Sequence, residues 1–141
     1  MRYDPAAVKP MRDELVRLGA EELATGEDVD RVLGADTGTT LLVINSICGC
    51  AAANARPAVA IATGHEVQPD RIATVFAGQD VDATERARRY IQGFRPSSPA
   101  MALFQGGKHV FMLERHQIEG RDAAEIAEEL SAAYDRFCGT N

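Results

Sequence analysis

Apolar residues recur at helical spacing in the first part of the chain: Val8, Met11, Leu15 and Leu18, then Val29, Val32 and Leu33. Gly19, Gly26 and Gly34 interrupt the pattern, which predicts two short helices rather than one long one. The pattern changes at Thr39. Thr39 to Asn45 reads TTLLVIN, an apolar run without polar alternation, as in a strand covered on both faces. Ala51 to Thr63 is rich in alanine and predicts a helix, with a kink at Pro57, which has no N–H to donate. Ile72 to Phe76, IATVF, predicts a second strand. Asp82 to Ile91 predicts a helix, with Asp82 and Glu85 near the N-terminus that favours negative charge. A loop, Gly93 to Pro99, leads to two strands, Met101 to Gln105 and Lys108 to Leu113, around the hairpin signal Gly106-Gly107. Gly120 to Cys138 closes the chain as a helix with Ala123, Ile126, Ala127, Leu130, Tyr134 and Phe137 on one face.

The order is a helical extension, then β-α-β, α, β-hairpin, α. It predicts an α/β fold: a mixed sheet with a parallel half and an antiparallel half, covered by helices. At 141 residues the chain is expected to be one domain, 1–141, with the extension over 1–38 and the core over 39–138. A hydrophobic fraction of 45% argues against a mainly disordered chain. A net charge of −6 repels phosphate backbones, so nucleic acid is not expected as a partner. No apolar run approaches the roughly 20 residues of a membrane span. The start, Met1-Arg2-Tyr3-Asp4-Pro5, has no apolar signal region, so the expected location is cytoplasmic.

The chemistry centres on Cys48 and Cys50, separated only by Gly49, where a buried strand gives way to a helix. A helix N-terminus carries free amide donors and positive partial charge, and both favour the nucleophilic thiolate. Gly49 is expected to let the backbone bend between the sulfurs. Such a pair suits thiol–disulfide exchange, one sulfur attacking and the other resolving. Inert core cysteines and a metal site are the alternatives. The other candidate ligands, Cys138, His65, His109 and His116, are distant in sequence. Cys138 reads as a small hydrophobe on the last helix or as an auxiliary redox thiol. Asn45 and Ser46 could hydrogen-bond a sulfur or a substrate backbone, or cap the following helix. The cluster Glu114, Arg115, His116 and Glu119 reads as a solvated turn, with His116 a weaker candidate for a base.

Four motifs in fixed order, SICGC, AAANARPA, RPSSPAMALFQGGK and ERHQIEGRDAAEIAEEL, closely resemble the bacilliredoxin family. These are small thioredoxin-like proteins with Cys-Gly-Cys in place of Cys-x-x-Cys, and the resemblance spans nearly the whole chain. It implies a thioredoxin-like fold and a thiol–disulfide oxidoreductase that removes bacillithiol, a low-molecular-weight thiol, from protein mixed disulfides. Cys48 would take up the bacillithiol, and Cys50 or free bacillithiol would resolve the adduct. Bacillithiol is then a co-substrate, no tightly bound cofactor or metal is implied, and the partners are S-bacillithiolated or disulfide-bonded proteins. Relatives regarded as general disulfide isomerases leave a broad isomerase as the alternative, and a non-catalytic metal-binding or redox-sensing thiol module as another. The resemblance also implies a cis peptide at Ser98-Pro99, facing the cysteines. Without it, a trans proline starting an edge strand is the simpler reading. The implied substrate-binding set is Pro99, Ser98, Gly49, Ser46 and Asn45.

Overall fold

Thr39–Asn45 forms β2, the central strand of the computed structural model, which describes residues 2–139; Met1, Thr140 and Asn141 of the expected domain lie outside the described residues. All seven residues of β2 are buried, as its unbroken apolar run requires. On one side β2 pairs in parallel with β3 (Arg71–Phe76). On the other it pairs antiparallel with β4 (Ala100–Gln105), which continues into β5 (Lys108–Leu113). Gly106 and Gly107 make the hairpin turn with φ of 57° and 82°, values that side-chain-bearing residues rarely adopt. A two-residue strand, β1 (Glu21–Glu22), adds in parallel to the outer edge of β3, giving the order β1-β3-β2-β4-β5.

Strand alternation divides the core. Leu41 and Val43 of β2, with Met101 and Leu103 of β4, face α1 (Pro5–Val16), α3 (Arg56–Ala62) and α6 (Ala123–Phe137). Leu42 and Ile44, with Ala100, Ala102 and Phe104, face α2 (Gly26–Leu33) and α4 (Val81–Tyr90). The result is three layers, with helices on both faces of one sheet. The helix starts follow ordinary capping. Asp4 accepts from Ala6 N–H, Thr25 and Asp28 form a capping box, and Asp122 accepts from Glu125 N–H.

Four details depart from the pattern-based reading. The N-terminal segment carries the two expected helices but also β1, too short to leave a periodic signal. The segment 51–62 is not α-helical throughout. It begins as a π-helical turn, Ala51–Ala55, in which Arg56 N–H reaches the Ala51 carbonyl five residues back. Pro57 therefore falls in the first turn of α3, where a missing donor is tolerated. The charged stretch after β5 includes a one-turn helix, α5 (Arg115–Ile118), whose Glu114 and Gln117 form a capping box. Finally, the β4–β5 ladder slips between Leu103 and Phe104, a bulge that strand propensities do not announce.

Candidate active site

The register determines which segments meet. Ile44 lies opposite Ala100, and Met101 opposite Leu113. The residues after β2, the proline before β4 and the turn after β5 therefore emerge at the same end of the sheet. Cys48 and Cys50 lie on the first of these, Ser98-Pro99 on the second and Arg115 on the third.

Cys48 and Cys50 are both half-buried free thiols, with sulfurs 2.6 Å apart. They stand at the head of the helix: the Cys48 carbonyl accepts from Ala51 N–H at 2.9 Å and Ala52 N–H at 3.4 Å. The Cys50 N–H turns back to the Cys48 sulfur at 3.4 Å. The two thiols are pushed in opposite directions. The Cys48 thiol is lowered, first by the Cys50 thiol donating to its sulfur, then by the Cys50 N–H, with smaller help from the Arg115 charge and Ala51 N–H, against the opposing effect of burial. The Cys50 thiol is raised, first by burial and then by its bond to Cys48 and the negative charge there. The helix start contributes as expected, but the larger cause is the partner cysteine itself.

Behind the pair lies a chain of internal hydrogen bonds. Alternation places Asn45 on the same face as Leu41 and Val43, toward α1 and α3. Its Nδ2 donates to the Met11 carbonyl of α1 at 3.2 Å, and its Oδ1 accepts from Ser46 N–H at 2.9 Å. Ser46 Oγ accepts from Cys48 N–H at 3.1 Å. Arg56, only 4% exposed, donates through Nη1 to Asn45 Oδ1 at 3.0 Å and to the Ser46 carbonyl at 3.1 Å. Its Nε faces Glu14 Oε1 at 3.1 Å as an ion pair without hydrogen-bond alignment. Asn45 and Ser46 are thus buried supports of the turn carrying Cys48, with neither side chain facing outward. Ser46 bonds two residues ahead, to the residue that opens the helix, rather than capping the N2 or N3 amide.

Gly49 is exposed, its φ is not positive, and a Cβ built there would meet nothing within 4 Å. The turn at the pair is therefore made without a left-handed φ at Gly49, and apart from the two flanking cysteines the space beside its Cα is open. Ile47, on the other flank of Cys48, is 43% exposed. The Ser98-Pro99 bond is cis; Pro99 is buried and Ser98 half-buried. Arg115 Nη1 donates to the Ser98 carbonyl at 3.3 Å.

Cys138 is elsewhere. Its thiol is raised chiefly by burial, and it contacts Thr39 at the start of β2. Cys48 lies beyond the other end of that strand, about 20 Å away at roughly 3.3 Å per residue. A disulfide requires Cα atoms within about 7 Å, so Cys138 cannot bond Cys48 or Cys50 of its own molecule. His116 is exposed and pairs with Glu114 at 3.1 Å. Among the described residues, no three His, Cys, Asp or Glu side chains group closely enough to hold a metal ion. None of the helices described is long and apolar enough to cross a membrane.

Two residues of this region gave no signal in the sequence. Arg56 looks like a surface charge inside an alanine-rich helix, and only its place inside AAANARPA marks it. Asn54, in the π-turn, donates through Nδ2 to the Ile118 carbonyl at 3.0 Å and to the Arg121 carbonyl, fastening α5 beside the cysteines.

A cysteine pair opening a helix at the end of a central strand, opposite a cis-proline at the start of the antiparallel neighbour, places the chain among thioredoxin-like proteins of the thiol–disulfide oxidoreductase type. Solved thioredoxins share the fold. One from Malassezia sympodialis superposes with a TM-score of 0.57 at 17% identity, covering 85% of this chain and 91% of that one. A thioredoxin variant from Halobacterium salinarum gives 0.58 at 16% identity, over 88% and 95%. Within that class the chain belongs to the disulphide isomerase family, whose pattern matches residues 3–138. It is 54% identical to a bacilliredoxin from Salinibacter ruber, over 99% of this chain and 83% of that protein. It is 50% identical to a bacilliredoxin from Staphylococcus aureus, over 96% and 93%.

Proposed function

We propose that the protein removes a low-molecular-weight thiol, bacillithiol, from protein mixed disulfides in a reducing cytoplasm. The Cys48 thiolate attacks the bacillithiol sulfur of the mixed disulfide. The S–S bond to the client breaks, and the client leaves as a thiolate that takes up a proton. Cys48 then carries the bacillithiol. Deprotonated Cys50 attacks the Cys48 sulfur, bacillithiol leaves as its thiolate, and a Cys48–Cys50 disulfide remains. Two electrons have passed from the cysteine pair to the mixed disulfide, and an external thiol must restore them. Pro99 and Ser98 line the approach to the sulfurs, while Asn45 and Ser46 hold the turn from behind.

The observation supporting this reading is the asymmetry of the pair. Cys48 favours its thiolate and Cys50 its thiol, so attack and resolution fall to different sulfurs. The relatives' name, bacilliredoxin, supports the choice of small thiol. The family's description favours a second reading, a broad protein disulfide isomerase using the same two sulfurs.

The test is trapping. With a bacillithiolated protein as substrate, Cys48→Ser is expected to abolish release of the client thiol. Cys50→Ser is expected to release it once and retain bacillithiol on Cys48, seen as a mass increment on that residue. An adduct on Cys50 alone would reverse the assignment. Faster rearrangement of a scrambled disulfide protein than release of bacillithiol would favour the isomerase.

A further inference from the structure

Arg115 opens α5 at the cysteine end of the sheet, and its contacts are unusually divided for an exposed arginine. Its backbone N–H donates to Ser97 Oγ at 3.3 Å, and its Nη1 to the Ser98 carbonyl at 3.3 Å. Its Nε and Nη2 both donate to Glu119 Oε2, at 3.2 and 3.1 Å. The guanidinium thus spans the loop before Pro99 and the far end of α5, and the fork geometry holds it there. Its positive charge favours the thiolate on both Cys48 and Cys50, while the Glu119 charge opposes ionisation at Cys50. The groups facing the sulfurs are therefore each other, Arg115, Glu119 and the helix amides; Arg56 and Glu14 lie behind the turn.

We propose that Arg115 is a positioning residue of the exchange reaction, tying the Ser97-Ser98 loop to α5 and holding a fixed positive charge beside the Cys48–Cys50 pair. The proposal rests on the reading of Cys48 as the attacking sulfur. Exchange passes through thiolates both on attack and on departure. A cation already held by the protein stabilises them without reorganising at the moment of reaction. The bland account is an exposed i,i+4 ion pair at a helix start, worth little for stability. That weakness keeps the test clean, because removing Arg115 should leave the fold intact while altering the sulfurs.

The experiment measures alkylation of Cys48 in the reduced protein by iodoacetamide against pH, resolved by residue with mass spectrometry. Arg115→Gln is expected to raise the Cys48 midpoint, with alkylation below it slowed about two- to fivefold, the size an exposed charge can exert. Arg115→Lys keeps the charge and should retain most of the wild-type midpoint. Glu119→Gln should lower the Cys50 midpoint. In about 1 M salt, where the Debye length is about 3 Å, the gap between wild type and Arg115→Gln should narrow. Both Arg115 variants lose the Nη1 bond to the Ser98 carbonyl, so both should raise KM for a disulfide-bonded protein substrate. An unmoved midpoint in Arg115→Gln, or an equal shift in Arg115→Lys, overturns the charge role; an unchanged KM overturns the tie to the loop. Alkylation of Cys50 ahead of Cys48 in the wild type would instead sink the functional reading itself.

Discussion

At the residue scale, the two thiols owe their difference to each other more than to the helix. The two sulfurs are in contact, with the Cys48 thiol lowered by its neighbour and the Cys50 thiol raised first by burial, so one proton is shared unequally between them. In the reduced wild type, the alkylation midpoint of Cys48 should fall below the free-cysteine value of about 8.5 and that of Cys50 above it. Raising the pH through the Cys48 midpoint should switch on reactivity at Cys48 first. Cys50→Ala removes the largest influence on Cys48, so its midpoint should rise; residue-resolved mass spectrometry across pH checks both, and coincident midpoints would contradict the asymmetry. Arg56 carries a second prediction at this scale. Arg56→Ala leaves the Ser46 carbonyl without its charged donor and opens space at a buried site. The expected loss is roughly 2–3 kcal/mol in urea unfolding, in the range of hydrogen bonds to charged groups.

At the scale of elements, the π-turn links Pro57 to the site. A proline in the first turn of α3 needs no donor, and the extra residue in the turn before it keeps the helix continuous from the cysteines onward. The same turn presents Asn54 to the carbonyls of Ile118 and Arg121, joining the head of the cysteine helix to the segment that carries Arg115. Asn54→Ala should therefore cost about 1–3 kcal/mol, the penalty for leaving partly buried polar groups unpaired. It should also loosen α5 selectively: amide hydrogen exchange is expected to speed up over 115–121 and not in β2. Uniform acceleration across the chain would show Asn54 to be an ordinary stabilising contact.

At the scale of the whole molecule, the N-terminal segment is bound into the structure at several points. Leu15 is fully buried among α3 and α6 residues, Met11 receives the Asn45 amide, and Glu14 faces Arg56. Arg12 grips Asp80 with two hydrogen bonds, at 2.9 and 2.7 Å, at the start of α4. Removing residues 1–17 strips all of these contacts together. The shortened chain should lose cooperative thermal unfolding, or melt far lower, and alkylation should no longer distinguish Cys48 from Cys50. A truncated protein with wild-type melting and thiol asymmetry would mean that α1 is an accessory. The large-to-small change Leu103→Ala, remote from the sulfurs on β4, should by contrast cost about 2–5 kcal/mol while leaving the Cys48 midpoint unchanged in the folded state.

What the sequence determined by itself is whatever depends on neighbours along the chain. The unbroken run Thr39–Asn45 pointed to a doubly covered strand, Gly106-Gly107 to a tight hairpin, and Cys48-Gly49-Cys50 to a candidate thiol pair at a helix start. β1 escaped because two residues carry no period, and the π-turn because local propensity does not distinguish i−4 from i−5 bonding. Tertiary structure alone decided which distant groups stand behind and beside the sulfurs. Arg56 is buried because Asn45, Ser46 and Glu14 converge on it, and Arg115 reaches Ser98 because the register of β4 and β5 brings their ends to the cysteines. Cys138 is set apart from them by the length of β2. Charge and hydrogen-bond partners act through space, and no spacing along the chain encodes that distance.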